Sequence, residues 1–182
     1  ESILKSFNGI VFLDEAYIDF SDQESLIHCL DLYPNLIVSQ TFSKAWGLAA
    51  ARVGVVYASK EIISFFNKVK PPYNVSGPNQ LSALKALKNI NTFKENIATI
   101  RAQREILENQ LSQLGIVIKT YPSDANFLLV EVNNADKIYA HLAERNIITR
   151  NRSTMVSNCI RITVGSPREN KILLDELKQL CA

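Results

Sequence analysis

Short apolar runs that end in polar residues constrain this chain to a layered α/β fold. Residues 10–13 are apolar and are followed by Asp14, and residues 36–38 are apolar and are followed by polar residues 39–41. Short continuous runs of this kind are typical of strands buried on both faces of a parallel sheet. Residues 53–58 predict a third strand. The connecting segments predict helices at residues 25–32 and 61–69. Strands that alternate with helices indicate a sheet covered by helices.

The order of predicted elements changes after Gly115. Residues 79–114 predict helix, with apolar residues at spacings of three, four and seven, and Gly115 is expected to end this region as a C-terminal cap. A small α+β unit follows, with strands at residues 116–121, 126–132, 147–150 and 160–164 and helices at residues 135–145 and 168–180. We therefore predict a domain boundary within the long helical region, which gives domains at residues 1–92 and 93–182.

Composition and charge argue against several classes of partner. The net charge is +2, and the 20 lysines and arginines are scattered, so no basic stripe indicates a nucleic-acid surface. The longest apolar runs are far too short to cross a bilayer, so no membrane association is predicted. The three cysteines and two histidines lack metal-ligand spacing, which predicts no metal site and favours a reducing, cytoplasmic compartment.

The residues around Lys44 point to a definite chemistry. Lys44 follows the second predicted strand and Asp14 follows the first, at the sheet edge where α/β proteins bind ligands. Pyridoxal phosphate needs an amine for its aldehyde, a carboxylate for its ring nitrogen, and hydroxyls with a guanidinium for its phosphate. Lys44 is predicted to form the imine, Asp14 to meet the ring nitrogen, and Tyr17 to bond the ring oxygen. The predicted phosphate ligands are Thr41, Ser43 and Arg52.

Each of these residues also has a plainer explanation. A lysine is usually a solvated surface charge, a strand-end acid such as Asp14 can cap the following turn, and Tyr17 can pack its ring beneath a loop. An apolar strand that ends in Asp-Glu is also found in the second nucleotide-binding motif of ATPases. Such a site needs G-x-x-x-x-G-K-[ST], and none of the six glycines forms that pattern. The concentration of suitable groups around Lys44 favours cofactor binding.

Three segments resemble the histidinol-phosphate aminotransferases, which are class II pyridoxal-phosphate enzymes of fold type I. These segments are Asp14-Glu15-Ala16-Tyr17, residues 41–48 with Arg52-Val53-Gly54, and residues 160–165. The resemblance runs from about Gly9 to the end of the chain. It implies that residues 1–92 are the C-terminal part of a large pyridoxal-phosphate-binding α/β/α domain, followed by a small α+β domain. It assigns the same cofactor roles to Lys44, Asp14, Tyr17, Ser43 and Arg52, with Thr41 as an additional candidate.

The resemblance also implies an activity. Such an enzyme moves an amino group between L-histidinol phosphate and 2-oxoglutarate in histidine biosynthesis, and the full-length enzyme is expected to be a homodimer. Arg161 would bind the α-carboxylate of the amino-acid substrate. Arg150 would lie near the substrate's phosphate or distal group, and Asn126 would lie near the substrate. The alternatives are another class II aminotransferase, a decarboxylase of a phosphate-bearing substrate, and an inactive C-terminal fragment.

The chain departs from the family pattern in two ways. Residues 49–51 are alanines where the family often has a glycine, and because alanine resists positive φ the loop backbone is expected to differ there. Family members are also much longer than the 182 residues of this chain. The resemblance places further cofactor-binding and dimer-interface residues in the N-terminal half that has no counterpart here.

Overall fold

Two separate sheets organise the chain. The computed structural model describes residues 1–181, and the chain divides into one unit at Glu1–Lys94 and a second from Glu95 onwards. The first unit contains a three-stranded sheet and the second a four-stranded sheet. The prediction of a mixed α/β fold is therefore confirmed. Within residues 1–181, no helix combines the length and the apolar character needed to cross a membrane.

The first unit is built on strands β1 to β3. Its elements in chain order are α1 (Ser2–Ser6), β1 (Val11–Asp14), β2 (Leu36–Thr41), β3 (Gly54–Ala58), α2 (Lys60–Val69) and α3 (Gly77–Lys88), followed by the start of α4 (Ile90–Leu111). Short 3-10 turns lie at Ile18–Phe20, Leu26–Cys29 and Ala49–Ala51. The first two turns lie in the β1–β2 connection, and the third lies in the β2–β3 connection. The turn at Leu26–Cys29 is found where a longer helix was expected at residues 25–32.

The strand directions in this sheet differ from a fully parallel arrangement. β1 and β2 are parallel, with Asp14 beside Ser39, whereas β2 and β3 are antiparallel, with Thr41 beside Gly54. The expectation of a parallel sheet was therefore wrong for β3. The connection after β2 returns directly along its neighbour, so the Lys44 segment is a hairpin loop at the same edge as Asp14.

Burial in this sheet is also less uniform than expected. Leu36 and Val38 of β2 are fully buried, but Phe12 of β1 is 57% exposed. The expectation that β1 is buried on both faces was wrong for this chain. Val11 and Leu13 pack in a cluster with β2, while the opposite face of β1 is open.

The second unit is a four-stranded antiparallel sheet with helices on one face. After α4, its elements are β4 (Val117–Tyr121), β5 (Phe127–Val132), α5 (Ala135–Glu144), β6 (Arg150–Asn151), β7 (Cys159–Thr163) and α6 (Pro167–Gln179). The strand order is β4-β5-β7-β6. Leu128 and Val130 of β5 and Ile160 and Ile162 of β7 pack against apolar residues of the helices, which forms the main core.

Three boundaries in this part of the chain were predicted incorrectly. The helical region is broken at Asn89, whose side chain bonds the Lys85 carbonyl, and its second helix ends at Leu111. Gly115 has no positive φ and does not cap that helix. The strand expected at residues 147–150 is reduced to the two residues of β6. The ends of these helices and strands depend on which backbone groups form hydrogen bonds, and the local apolar pattern does not predict those bonds.

Helix α6 begins with a complete capping box, from which one stability prediction follows. Ser166 Oγ accepts from the Glu169 N–H, and Glu169 Oε2 accepts from the Ser166 N–H at 2.8 Å. Ser166→Ala is expected to destabilise the fold by about 1 kcal/mol at neutral pH, because the Glu169 N–H of the first turn loses its hydrogen-bond acceptor. Urea unfolding of both proteins measures the difference. Ser157→Ala, which changes an exposed serine in the turn before β7, is the matched control and should have little effect.

The same capping box makes the difference in unfolding free energy between the unmodified protein and Ser166→Ala depend on pH. The side-chain and backbone hydrogen bonds from Ser166 hold the pKa of Glu169 below its usual value of 4.5. A lowered folded-state pKa stabilises the fold above the unfolded pKa, and this contribution is lost as the pH falls through the folded value. The difference between the two proteins should therefore narrow in acid. A difference that stays constant down to pH 3 would contradict this assignment.

Candidate active site

The candidate site of the first unit lies where β1 and β2 end. Asp14 is the last residue of β1 and lies beside Ser39, while Thr41 ends β2 and leads into the Lys44 loop. Ser39 is the neighbour of Asp14 on β2, and Thr41 is two residues further along that strand. At a rise of about 3.3 Å per residue, this offset is short, so Asp14 and Thr41 lie at the same edge of the sheet. Chain direction therefore brings together residues that are far apart in sequence.

Asp14 is oriented by the loop that follows it. Its Oδ1 accepts from the Ala16 N–H at 3.0 Å and from Ser39 Oγ at 3.3 Å. Asp14 therefore does cap the following turn, as the plainer explanation expected, but with only one of its two oxygens. Both bonds use Oδ1, and within residues 1–181 no hydrogen bond to Oδ2 is formed. The side chain is exposed, so a second oxygen is available to a positively charged partner.

Lys44 contacts the loop that follows Asp14. Its side chain is exposed, and its Nζ lies 5.3 Å from the centre of the Tyr17 ring, a cation–π distance. Exposure alone is the ordinary state of a lysine. The contact with Tyr17 distinguishes Lys44, because it places the amine beside the loop that begins at the Asp14 carboxylate.

The loop that contains Lys44 is closed by main-chain hydrogen bonds. The Phe42 N–H donates to the Val53 carbonyl at 3.1 Å, and the Gly47 N–H donates to the Lys44 carbonyl at 3.0 Å. Positive φ occurs at Gly47 (67°) and at Arg52 (52°), while the alanines before Arg52 form a right-handed 3-10 turn. The chain therefore makes its left-handed turns beside the alanines and not within them.

The predicted phosphate ligands differ in how far they are already engaged. Thr41 Oγ1 accepts from the Ser43 N–H at 3.0 Å and donates to the Val53 carbonyl at 3.4 Å, so the loop itself uses this hydroxyl. Ser43 Oγ forms no hydrogen bond within the described part of the chain. Arg52 Nη1 donates to the Ala49 carbonyl at 3.1 Å, which leaves further guanidinium donors. Ser43 and Arg52 are therefore better suited to an anion than Thr41.

Two residues near Lys44 were not identified from the sequence. Trp46 stacks on Phe93 with ring centres 3.8 Å apart and an interplanar angle of 14°, and it lies 5.5 Å from Phe42. This stack attaches the Lys44 loop to the first turn of α4. Glu15 is buried beside the exposed Asp14. An aromatic next to Lys44 and a second acid next to Asp14 were the available signals.

The predicted substrate residues belong to the second unit. Ile160 and Ile162 of β7 are buried in the core, so Arg161 between them points to the opposite face of the sheet. Arg150 of β6 is directly opposite Arg161 in the strand register. The Arg161 guanidinium carbon lies 4.8 Å from the centre of the Phe127 ring. Asn126 precedes β5, and its carbonyl accepts from the Val164 N–H at 2.9 Å.

The facing arginines lead to a prediction about stability. Like charges directly opposite across antiparallel strands are destabilising, so Arg150→Thr is expected to stabilise the fold by about 0.2–1 kcal/mol. The gain should shrink in high salt because salt screens the repulsion. Urea unfolding at low and high salt measures both effects. Lys119→Thr is the matched control, because Lys119 lies opposite Glu131 and its loss should destabilise the same sheet. A salt-independent gain for Arg150→Thr would contradict the repulsion.

These donor groups fit pyridoxal phosphate by their chemistry. An accessible amine contacts the loop that follows an oriented carboxylate, and a hydroxyl and a guanidinium flank the amine in one closed loop. Within residues 1–181 no cluster of three or more histidine, cysteine, aspartate or glutamate side chains could hold a metal. The amine, the carboxylate, the hydroxyl and the guanidinium are the groups that favour an organic phosphate cofactor.

The fold and the chemistry of the site fit a pyridoxal-phosphate type of enzyme, and comparison with known proteins identifies the family of the chain. The aminotransferase class I and II family model matches residues 1–177, and the chain belongs to that family. This confirms the resemblance inferred from the sequence motifs.

Individual relatives are more specific. The chain is 52% identical over 182 residues to a histidinol-phosphate aminotransferase of Christiangramia forsetii, an alignment that covers 99% of this chain and 52% of the relative. The chain thus spans about half the length of the curated relatives it matches.

Solved structures show the same fold. The histidinol-phosphate aminotransferase of Clostridium acetobutylicum matches with a TM-score of 0.90 at 22% identity, over 99% of this chain and 57% of that one. The enzyme of Sinorhizobium meliloti in complex with pyridoxal-5'-phosphate matches with a TM-score of 0.78 at 26% identity, over 94% of this chain and 48% of that one.

Proposed function

We propose that this chain supplies cofactor-binding and substrate-binding residues of an aminotransferase acting on L-histidinol phosphate and 2-oxoglutarate. The observation that supports it most directly is the common sheet edge at which β1 ends in Asp14 and β2 leads to Lys44. The 52% identity to a histidinol-phosphate aminotransferase supports the choice of substrate. The whole protein is proposed to work in the cytoplasm as a homodimer.

The cofactor in this proposal is pyridoxal phosphate, which supplies an electron sink for the bond that breaks at the substrate's Cα. Lys44 would hold it through its amine. The Asp14 carboxylate would keep a proton on the ring nitrogen, and Tyr17 would donate a hydrogen bond to the ring oxygen. Ser43 and Arg52 would bind the phosphate, with Thr41 holding their loop through its bond to the Ser43 N–H.

The chain's own residues would then perform the proton transfer and hold the substrate. Lys44 Nζ, once released by the incoming amine, would remove the proton from the substrate's Cα as a general base. Arg161 would orient 2-oxoglutarate, or the glutamate formed from it, by binding its α-carboxylate in a planar fork. Arg150 on the neighbouring strand would bind the phosphate of L-histidinol phosphate, which carries no carboxylate. The proposed anionic substrate explains why two arginines occupy facing positions that are unfavourable for the free sheet.

A chimera tests the activity. This chain would replace the aligned half of the Christiangramia forsetii relative, because that protein also contains the half with which this chain does not align. Glutamate formation from L-histidinol phosphate and 2-oxoglutarate would be compared with that of the intact relative, and we expect rates within about tenfold of each other.

Three other outcomes would contradict this proposal. Release of CO2 from a phosphate-bearing amino acid, without amino transfer, would assign the chain to a decarboxylase instead. A folded chimera that binds pyridoxal phosphate but catalyses neither reaction would support an inactive remnant. Transfer to 2-oxoglutarate from a different amino acid, with none from L-histidinol phosphate, would retain the class and reject the substrate.

A further inference from the structure

Glu15 is a buried acid that the proposed chemistry does not use. Glu15 is 8% exposed, although it directly follows the exposed Asp14. Its carboxylate accepts from Ser25 Oγ at 2.6 Å, from the Leu26 N–H at 2.9 Å and from Gln40 Nε2 at 3.0 Å. Three donors therefore meet at one side chain, and each comes from a neutral group.

These bonds join three segments that are separate in the sequence. Ser25 and Leu26 begin the 3-10 turn of the β1–β2 connection, and Gln40 lies near the end of β2. The main chain of Glu15 is held as well, because its N–H donates to the Ser39 carbonyl at 2.9 Å and its carbonyl accepts from the Ile18 N–H at 3.1 Å. The residue is thus fixed through both its backbone and its side chain.

Burying an ionised carboxylate is costly unless its oxygens are hydrogen-bonded. Glu15 forms no ion pair within residues 1–181, so only the three donors offset that cost. A glutamine of the same shape cannot accept at every position, since its amide nitrogen would have to face one of the donors. As its donors are arranged, the site therefore suits an acceptor-only side chain, and a glutamine would require Ser25 or Gln40 to reorient.

We propose that Glu15 is a positioning residue, which fixes the loop from Asp14 to Tyr17 so that both side chains face the cofactor. Neighbouring residues in an extended chain point to opposite sides, so anchoring Glu15 inward directs Asp14 outward. Tyr17 follows the same anchor and contacts Lys44. This inference rests on the proposed function, because the direction of Asp14 matters to catalysis only if it meets the cofactor.

Glu15→Gln tests the proposal on the chain as it stands, with Glu24→Gln as the matched control. Glu24 is an exposed acid in the same connection, so its variant makes the same change of charge without disturbing the network. Three quantities would be measured: hydrogen exchange of the peptide covering residues 14–20, the dissociation constant for pyridoxal phosphate, and the pH at which the bound cofactor's visible absorbance changes. Mutation of residues that orient metal ligands typically alters metal affinity about ten- to a hundredfold, and an effect of that order is expected here.

The proposal expects faster exchange, at least tenfold weaker cofactor binding and a shifted absorbance midpoint for Glu15→Gln, with Glu24→Gln unchanged. Unaltered affinity and an unaltered midpoint in a folded Glu15→Gln protein would overturn it, whatever the variant's urea midpoint. If Glu15→Gln fails to fold, Ser25→Ala removes a single donor, and it should move the same three quantities in the same direction by a smaller amount. No movement in that folded variant would also overturn the proposal.

The test separates this inference from the function on which it rests. If the unmodified chain binds no pyridoxal phosphate, the cofactor assignment fails for the chain alone. The exchange measurement needs no cofactor and decides whether Glu15 orders the loop. Unchanged exchange in Glu15→Gln or Ser25→Ala would then overturn the positioning role by itself.

Discussion

Lys44→Ala is expected to abolish covalent attachment of pyridoxal phosphate to this chain. The lysine amine is the group that condenses with the aldehyde, and alanine offers no replacement. In the chimera with the Christiangramia forsetii relative, amino transfer should fall by about 10²–10⁴-fold or more, because the general base is lost with the attachment point. The effect should be the largest of any single substitution in the chain.

Borohydride reduction followed by peptide mass mapping measures the attachment. The unmodified chain should carry one label, on Lys44, and Lys44→Ala should carry none. Lys85→Ala, which removes an exposed lysine of α3, is the matched control and should label normally. Labels spread over surface lysines, at equal levels in all three proteins, would show that this chain alone does not form a cofactor site.

Asp14→Asn is expected to have the second largest effect. Asparagine keeps the shape of the side chain, and its carbonyl oxygen can still accept from the Ala16 N–H and from Ser39 Oγ, so the loop should fold normally. What is lost is the negative charge that would keep a proton on the cofactor's ring nitrogen. Removing one such electrostatic contact costs about 10²–10³-fold in rate in other enzymes, and a similar loss is expected here.

The chimera again provides the measurement of rate, and urea unfolding shows whether the fold is retained. Asp31→Asn is the control, because Asp31 is an exposed acid in the same unit and distant in sequence from both strand ends. Asp14→Asn with normal stability and a strongly reduced rate would support a direct role at the cofactor. An unchanged rate would leave the capping of the Ala16 N–H as the function of Asp14.

The elements predicted from apolar pattern agree with the structure where the pattern is regular. The positions of β2, β5 and β7 and of helices α2, α5 and α6 agree with those expected to within one or two residues, since their apolar residues form clear runs or regular spacings in the sequence. The strand at residues 147–150 shows the limit. Its residues are suited to a strand, but of these only Arg150 pairs with β7, together with Asn151, which lies beyond the expected end.

Direction and register were beyond the reach of local pattern. A buried strand is apolar whether it runs parallel or antiparallel, so β3 could not be distinguished from a parallel strand. The facing positions of Arg150 and Arg161 likewise depend on how two strands align, and these residues are separated by a long loop.

The sequence by itself determined the family, the alternation of strands and helices, and the placement of Asp14 and Lys44 near the ends of two strands. These follow from residue type and from short-range periodicity, which are properties of the chain alone. Only the tertiary structure decided that Glu15 is buried while Asp14 is exposed. It also decided that the Thr41 hydroxyl forms hydrogen bonds within its own loop. The reason is physical: burial and hydrogen bonding depend on which distant segments meet, as when Ser25 and Gln40 converge on Glu15.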